Sequence, residues 1–123
     1  NPLSLKTAIE NYDKIKTKNS KKYLILGDML ELGKHSIKQH KLISKIINKT
    51  KIDQVYVIGN DIKKTFNGLK PNKKAKVLNN KLDIFDLINK DLNNNDYLMI
   101  KGSNSTDLNK ITANLKQRIS NVI

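Results

Sequence analysis

Two carboxylates and two histidines lie within a short segment that ends at His40, and these are side chains that could do chemistry. Asp28 and Glu31 could form an acid–base pair, but their spacing does not fix the distance between the two carboxylates. Acids at the start of a loop more often orient backbone amides or cap the next helix. His35 and His40 are five residues apart, a spacing that does not place both on one helix face. We therefore predict neither a metal site nor a catalytic group in this segment.

A second polar group, K-G-S-N-S at positions 101–105, precedes the last predicted helix. Backbone N–H groups and hydroxyls in such a loop could hold an anion at a helix N-terminus. The alternative is an ordinary loop that ends in a helix cap at Ser105 or Thr106. Because K-G-S is a common string, these residues alone leave both interpretations open.

The same segments do not contain a complete nucleotide-binding motif. A dinucleotide fingerprint needs G-x-G-x-x-G between a strand and a helix, but no glycine lies between Gly27 and Gly33. A Walker A loop fails too, because this glycine interval is one residue too long and Lys34 is followed by His35. A phospho-accepting receiver domain would need an acidic pair at the first strand, where Asp28 stands alone. The sequence thus predicts no complete nucleotide-phosphate cradle of its own.

The elements that must position these residues alternate along the chain. Four short segments predict strands; they are Tyr23–Leu26, Val55–Ile58, Ala75–Leu78 and Tyr97–Ile100. The continuous apolar run Tyr23–Leu26 is typical of a strand buried on both faces, whereas Ala75–Leu78 is interrupted by Lys76 and gives a weaker signal. Helical spacing of apolar residues predicts five helices between and around them. The third of these is a short helix over Asp61–Phe66, and the second follows a cap at Ser36. The inner residues of the other four, in chain order, are Leu5, Ala8, Ile9, Tyr12 and Ile15; Ile37, Ile43, Ile46 and Ile47; Leu82, Phe85, Ile88 and Leu92; and Leu108, Ile111, Leu115 and Ile119.

This order predicts an α/β fold whose mainly parallel sheet has about four or more strands, with helices on both faces and right-handed crossovers. We expect residues 1–123 to form a single domain. In an open parallel sheet, the loops that follow the strands share one edge, and ligands bind there. The loops at that edge are G-D-M-L-E-L-G (27–33), G-N (59–60), the 79–80 turn and K-G-S-N-S (101–105). The least ordinary local sequences are therefore predicted to lie side by side.

Composition narrows the class of protein. The chain has no cysteine, no apolar run long enough to span a bilayer and no signal-peptide layout at its start, so we expect a soluble, cytoplasmic protein. Its net charge of +13 would suit a polyanion-binding module. However, every basic residue except Arg118 is lysine, the lysines are spread along the sequence, and lysine, asparagine and isoleucine share A/T-rich codons. We expect no membrane or nucleic-acid partner, and we keep a stand-alone basic module that binds nucleic acid or another polyanion as the alternative.

Three motifs, in order along the chain, resemble those of the Mur ligase family of peptidoglycan synthesis. The most specific is the family's G-D-M-x-E-L-G followed by a serine and a histidine; the residues that match it are Gly27, Asp28, Met29, Glu31, Leu32, Gly33, Ser36 and His40. The start of the chain is similar to the end of the family's Y-N-A-N-P-x-S-x-K-x-A segment; the matching residues are Asn1, Pro2, Ser4, Lys6 and Ala8. The family's V-K-G-S-R-S is matched by Lys101, Gly102, Ser103 and Ser105, whereas Asn104 replaces its arginine and Asn109 a glutamate that is common near the start of the final helix.

The resemblance implies the third, Rossmann-like domain of a three-domain ligase that adds D-alanyl-D-alanine to UDP-N-acetylmuramoyl-tripeptide. ATP with Mg²⁺ would be held mainly by a central ATPase domain and would activate the tripeptide carboxylate as an acyl phosphate, which the dipeptide amine attacks. The third domain closes over the central one, positions the dipeptide and excludes water. We expect no cofactor in this chain by itself, and no activity from it alone.

The resemblance also implies roles for individual residues. Asn1 would lie near the ATP. The expected dipeptide or phosphate contacts are Asp28, Met29, Glu31, Lys101, Ser103 and Asn104. Asp28 would either meet the dipeptide ammonium or hold loop amides in place, and the second role is favoured. His40 is expected to support the loop at 27–33 as a structural contact.

Overall fold

Four parallel strands form the sheet at the centre of the protein. The computed structural model describes residues 2–33, 36–103, 107–117, 119 and 121–123, without the side chains of Pro2 and Glu31. The strands are β1 (Lys22–Gly27), β2 (Gln54–Ile58), β3 (Lys74–Leu78) and β4 (Tyr97–Lys101). They pair in the order β3-β2-β1-β4, and every pairing is parallel. The predicted parallel sheet is therefore confirmed, with each strand slightly longer than its apolar run.

Five helices flank the strands. They are α1 (Pro2–Asp13), α2 (Ile37–Asn48), α3 (Lys63–Asn67), α4 (Leu82–Lys90) and α5 (Leu108–Lys116). Two 3₁₀ turns, Leu30–Leu32 and Pro71–Lys73, lie after β1 and before β3. None of the described helices is long and apolar enough to cross a membrane.

Each face of the sheet has its own apolar core, as the continuous apolar runs of the strands predict. On one face, Leu24 and Leu26 of β1 belong to a cluster with residues of α1 and α2, such as Ile9 and Ile43. On the other face, Ile25 belongs to a cluster with residues of α4 and α5. All six residues of β1 are buried, and each fully buried leucine or isoleucine contributes about 1.5–3 kcal/mol. The helices therefore cover both faces, as expected.

Two residues assigned to inner helix faces are exposed instead. Ile37, the first residue of α2, is 56% exposed, one turn before the first buried residue of that helix, His40. Leu82, the first residue of α4, is 72% exposed, because the buried stripe of this helix runs through Ile84 and Leu87 and is out of phase with it. The five helices are present, but these two inward-facing assignments were wrong. Three other residues assigned to helices lie beyond the ends of α1, α4 and α5; they are Ile15, Leu92 and Ile119.

Candidate functional site

Asp28 joins three of the four loops at the carboxyl edge of the sheet. Its Oδ1 accepts a hydrogen bond from the backbone N–H of Ile62 at 2.9 Å, and its Oδ2 accepts one from Asn60 at 3.2 Å. Its backbone carbonyl accepts a third from the N–H of Ser103 at 3.0 Å. The loops after β1, β2 and β4 are thus tied to one residue, and the expected clustering of these loops is confirmed. The carboxylate holds backbone amides, the role that the sequence analysis favoured.

Gly59 leaves the space that the Asp28 carboxylate occupies. A Cβ atom at Gly59 would lie 2.6 Å from both Cγ and Oδ1 of Asp28. Its φ of +129° is also a backbone conformation that side-chain-bearing residues rarely adopt. The sequence analysis placed Gly59 in a loop at this edge but did not predict its packing against Asp28. A glycine directly after a buried strand was the available signal, since it often marks a close backbone approach.

The three sequence motifs meet around a small cavity of about 130 Å³ at the same edge. Its walls are Ser4, Leu5 and Ala8 of α1, Met29 of the β1 loop, and Lys101 and Gly102 at the end of β4. Met29 is 6% exposed and packs in the core beside α1, so most of its side chain lies under the loop. Lys101 is exposed. The edge thus combines an apolar floor with a primary ammonium group.

The loop after β1 has one buried side and one exposed side. Met29 and Leu32 are buried, whereas Leu30 is 83% exposed. The 3₁₀ turn ends at Gly33, whose φ is +75°, a left-handed conformation suited to glycine. The apolar residues of the motif therefore do two things: two of them anchor the loop, and Leu30 presents an apolar surface to its surroundings.

Ser36 and His40 fix the helix that follows this loop. The Ser36 Oγ accepts the N–H of Gln39 at 3.1 Å, which confirms the predicted cap. The His40 ring is 1% exposed, and its Nδ1 lies 2.8 Å from the carbonyl oxygen of Ser36. Because a carbonyl only accepts, this contact requires a proton on Nδ1. Within the described atoms Nε2 has no hydrogen-bond partner. His40 therefore supports the loop connection through Ser36.

The other half of the edge is fixed by charged side chains. The Asp83 carboxylate accepts N–H bonds from Asn79 and Asn80, and the Asn80 side chain accepts N–H bonds from Leu82 and Asp83 in return. This reciprocal arrangement is a capping box, whose N-x-x-D signal was overlooked in the sequence. The two backbone N–H bonds hold the pKa of Asp83 below its ordinary value.

A salt bridge links the β3 and β4 loops. Lys81 Nζ lies 3.1 Å from Oδ2 of Asp107, and both side chains are exposed. The hydrogen bond from Lys81, followed by its charge, lowers the pKa of Asp107. Asp107 also has a φ of +57° directly before α5, so the turn into this helix is left-handed. The link was not foreseen from the sequence.

Several predicted site residues fall outside the described part of the chain. These are Asn1, Asn104, the side chain of Glu31 and the two candidate caps Ser105 and Thr106. Of the others, Asp28, Met29, Lys101 and Ser103 come together at the carboxyl edge. Their contact with a substrate stays a prediction.

Comparisons with known proteins point to one family. The sequence profile described as "Mur ligase, glutamate ligase domain" matches residues 1–104. A UDP-N-acetylmuramoyl-tripeptide–D-alanyl-D-alanine ligase from Buchnera aphidicola is 33% identical over 97 residues, 76% of this chain and 20% of that protein. The Bacillus subtilis protein of the same name is 32% identical over 117 residues, 93% of this chain and 25% of that protein. The chain thus spans no more than a quarter of the length of these relatives. It belongs to the Mur ligase family, in which it corresponds to the glutamate ligase domain.

Proposed function

We propose that this chain is the C-terminal domain of an ATP-dependent ligase that adds D-alanyl-D-alanine to UDP-N-acetylmuramoyl-tripeptide during peptidoglycan synthesis in the cytoplasm. The observation that carries the proposal is the meeting of three family-like motifs around one cavity, between α1, the β1 loop and the end of β4. The names of the two relatives support the same substrate pair.

The chemistry assigned to this domain is positioning. ATP with Mg²⁺, held mainly by a central domain, would activate the tripeptide carboxylate as an acyl phosphate, and the dipeptide amine would displace phosphate. The Asp28 carboxylate accepts hydrogen bonds from loop amides, and these bonds hold the loops of the carboxyl edge in one arrangement. Lys101 is the cation beside the cavity and would meet the carboxylate of the dipeptide. An edge that is already ordered lowers the entropic cost of bringing the amine to the acyl phosphate.

Exposed apolar side chains support closure of this edge over a central domain. Leu3, Leu30, Ile37 and Leu82 are each more than half exposed, and they lie at the starts of α1, α2 and α4 and in the β1 loop. All of these positions are at the carboxyl edge of the sheet. Exposed apolar residues on both sides of this edge would suit contact with another domain. Their burial would also exclude water from the activated carboxylate.

The proposal is tested in the complete protein that contains this chain. We expect ATP-dependent ligation of D-alanyl-D-alanine to the UDP-linked tripeptide, and we expect Lys101→Ala to raise KM for the dipeptide about tenfold, the loss of one charge-assisted contact. Lys116→Ala is the matched control, because Lys116 is also exposed but lies in the last turn of α5. Absence of the ligation reaction would overturn the function, whereas equal KM values would overturn only the role of Lys101.

A further inference from the structure

The lysines that look scattered along the sequence are concentrated by the fold at the amino edge of the sheet, opposite the candidate site. Four segments lead into the strands at this edge: 14–22, 49–53, 70–74 and 90–96. They contain 26 of the 123 residues but 11 of the 23 lysines. Eight of these lysines are exposed. We call this surface the basic face.

Hydrogen bonds between the segments hold the basic face together. The N–H of Lys51 donates to Oδ1 of Asp13 at 2.7 Å, and the N–H of Lys21 donates to Oδ1 of Asp96 at 2.9 Å. The buried Lys73 ammonium donates to the carbonyls of Thr50 and Ile52, both at 2.7 Å. The four segments therefore form one platform, which fixes the backbone positions that carry the exposed lysines.

The carboxylates at this edge are already engaged by neutral donors. Asp13, Asp53 and Asp96 accept backbone N–H groups, and Asp91 accepts the hydroxyl of Tyr56. The two salt bridges found among the described residues, Lys64–Asp61 and Lys81–Asp107, both lie at the opposite edge. The four segments contain 11 lysines and three aspartates, Asp53, Asp91 and Asp96, so eight positive charges remain in excess on the basic face. One lysine at each helix C-terminus would be enough to complement the helix dipoles, and the basic face carries more lysines than that.

We propose that the basic face binds an anionic phospholipid surface, a membrane partner that the sequence analysis did not expect. The cations described there are lysines, which act as compact point charges suited to a mobile layer of headgroups. Nucleic acid fits less well, because Tyr12, Tyr23 and Tyr56 near this edge are buried and cannot stack on bases. The fourth tyrosine, Tyr97, is partly buried and packs against the apolar core. The face is also built from strand-entry loops and offers no projecting helix or ribbon for a DNA groove. Binding by this edge would leave the carboxyl edge free.

Vesicle binding with two matched variants tests the proposal. One variant carries Lys14→Gln, Lys16→Gln, Lys49→Gln and Lys51→Gln on the basic face; the control carries Lys38→Gln, Lys41→Gln, Lys63→Gln and Lys110→Gln elsewhere. All eight side chains are exposed, and both variants lose the same charge. The probes are phosphatidylcholine vesicles with and without about 30% phosphatidylglycerol, and a DNA duplex of equal phosphate concentration.

We expect the unmodified chain to bind the anionic vesicles and not the neutral ones, and to dissociate as salt rises from about 50 to about 300 mM. The basic-face variant should partition at least about 100-fold more weakly, since each surface lysine contributes roughly fivefold, while the control stays close to the unmodified chain. Equal losses in both variants would mean that net charge, and not this face, is responsible. Binding to the duplex in preference to the vesicles, or no binding to the vesicles at all, would also overturn the proposal.

Discussion

The backbone of Gly59 packs directly against the carboxylate of Asp28, with 2.6 Å between the position of a Cβ at residue 59 and Oδ1 of Asp28. We expect Gly59→Ala to lower the free energy of unfolding by about 2–3 kcal/mol, because it adds both this clash and the strain of a side chain at φ +129°. Urea denaturation measures the change.

A double-mutant cycle separates the clash from the strain. Asp28→Ala removes the carboxylate that a Cβ at residue 59 would meet, so the double variant should cost less than the sum of the single ones by at least about 0.5 kcal/mol. If the two costs simply add, the contact between these residues does not limit position 59.

Asp28 should tolerate asparagine better than alanine. The amide keeps one oxygen acceptor for the N–H of Ile62 but loses the second acceptor, and alanine loses both. We expect a cost of about 1 kcal/mol for Asp28→Asn and about 2 kcal/mol for Asp28→Ala. Hydrogen exchange of the Ile62 amide should speed up in the alanine variant. Unchanged exchange at Ile62 would contradict the assignment of Asp28 as a loop anchor.

Alkaline pH should weaken the fold through its buried tyrosines. Burial raises the pKa of Tyr12, Tyr23 and Tyr56 above the ordinary value of about 10. A group whose pKa is higher in the folded state contributes its full stabilisation at pH values below its unfolded-state pKa. This contribution is lost as pH rises above the unfolded-state value. Burial lowers the pKa of Lys73, so the titration of this residue makes the fold more stable as pH rises. Because the two effects oppose each other, the contribution of a tyrosine has to be measured by changing that residue alone.

Tyr12→Phe provides that comparison. At pH 8 it should cost about 1 kcal/mol, because the hydroxyl donates to the Tyr23 carbonyl at 2.8 Å. Above pH of about 10, the difference from the unmodified protein should shrink by up to about 1.4 kcal/mol per pH unit, since phenylalanine has no proton to lose on unfolding. Urea denaturation at both pH values gives the difference, and a constant difference would mean that Tyr12 ionises equally in both states.

Lys73 is expected to be a structural lysine. Its ammonium is the donor for two carbonyls, so Lys73→Met should leave both without this partner and cost about 2–4 kcal/mol. Lys70→Met is the control, because Lys70 is exposed in the same segment and should change stability by less than about 0.5 kcal/mol. Thermal denaturation compares the two; similar melting temperatures would show that the buried bonds contribute little.

The strands and their common edge could be predicted because strong local signals determine them. Apolar runs such as Tyr23–Leu26 are too short and too continuous for a surface helix, and each ends at a glycine or polar residue. The orientation of helix residues was less predictable. Leu82 fits an apolar spacing with Phe85, yet Ile84 and Leu87 fit the sheet better, and only tertiary packing decides between such stripes.

The site was predictable at the level of loops but not of atoms. Parallel topology places the loops together whatever their sequences, which is why Asp28 and Ser103 could be expected to be neighbours. The hydrogen bonds from residues 60 and 62 to Asp28 depend on how far the β2 loop reaches, which is not visible in residue types. The Lys81–Asp107 pair likewise joins residues 26 positions apart on separate loops.

The central position of β1 has a consequence for how the sheet is assembled. Its partner β2 follows after about 30 residues, whereas β4 follows much later; the bond between Lys22 and Asp53 spans 31 positions and that between Lys21 and Asp96 spans 75. Closing the longer loop costs only about 0.8 kcal/mol more in chain entropy. The pairing of β4 is therefore delayed mainly because β4 is synthesised later. During synthesis, β1, β2 and β3 emerge from the ribosome before β4. If the first three strands pair before β4 is made, β1, an inner strand of the finished sheet, is an edge strand of the nascent one, and a row of its backbone N–H and C=O groups stays unpaired until β4 arrives.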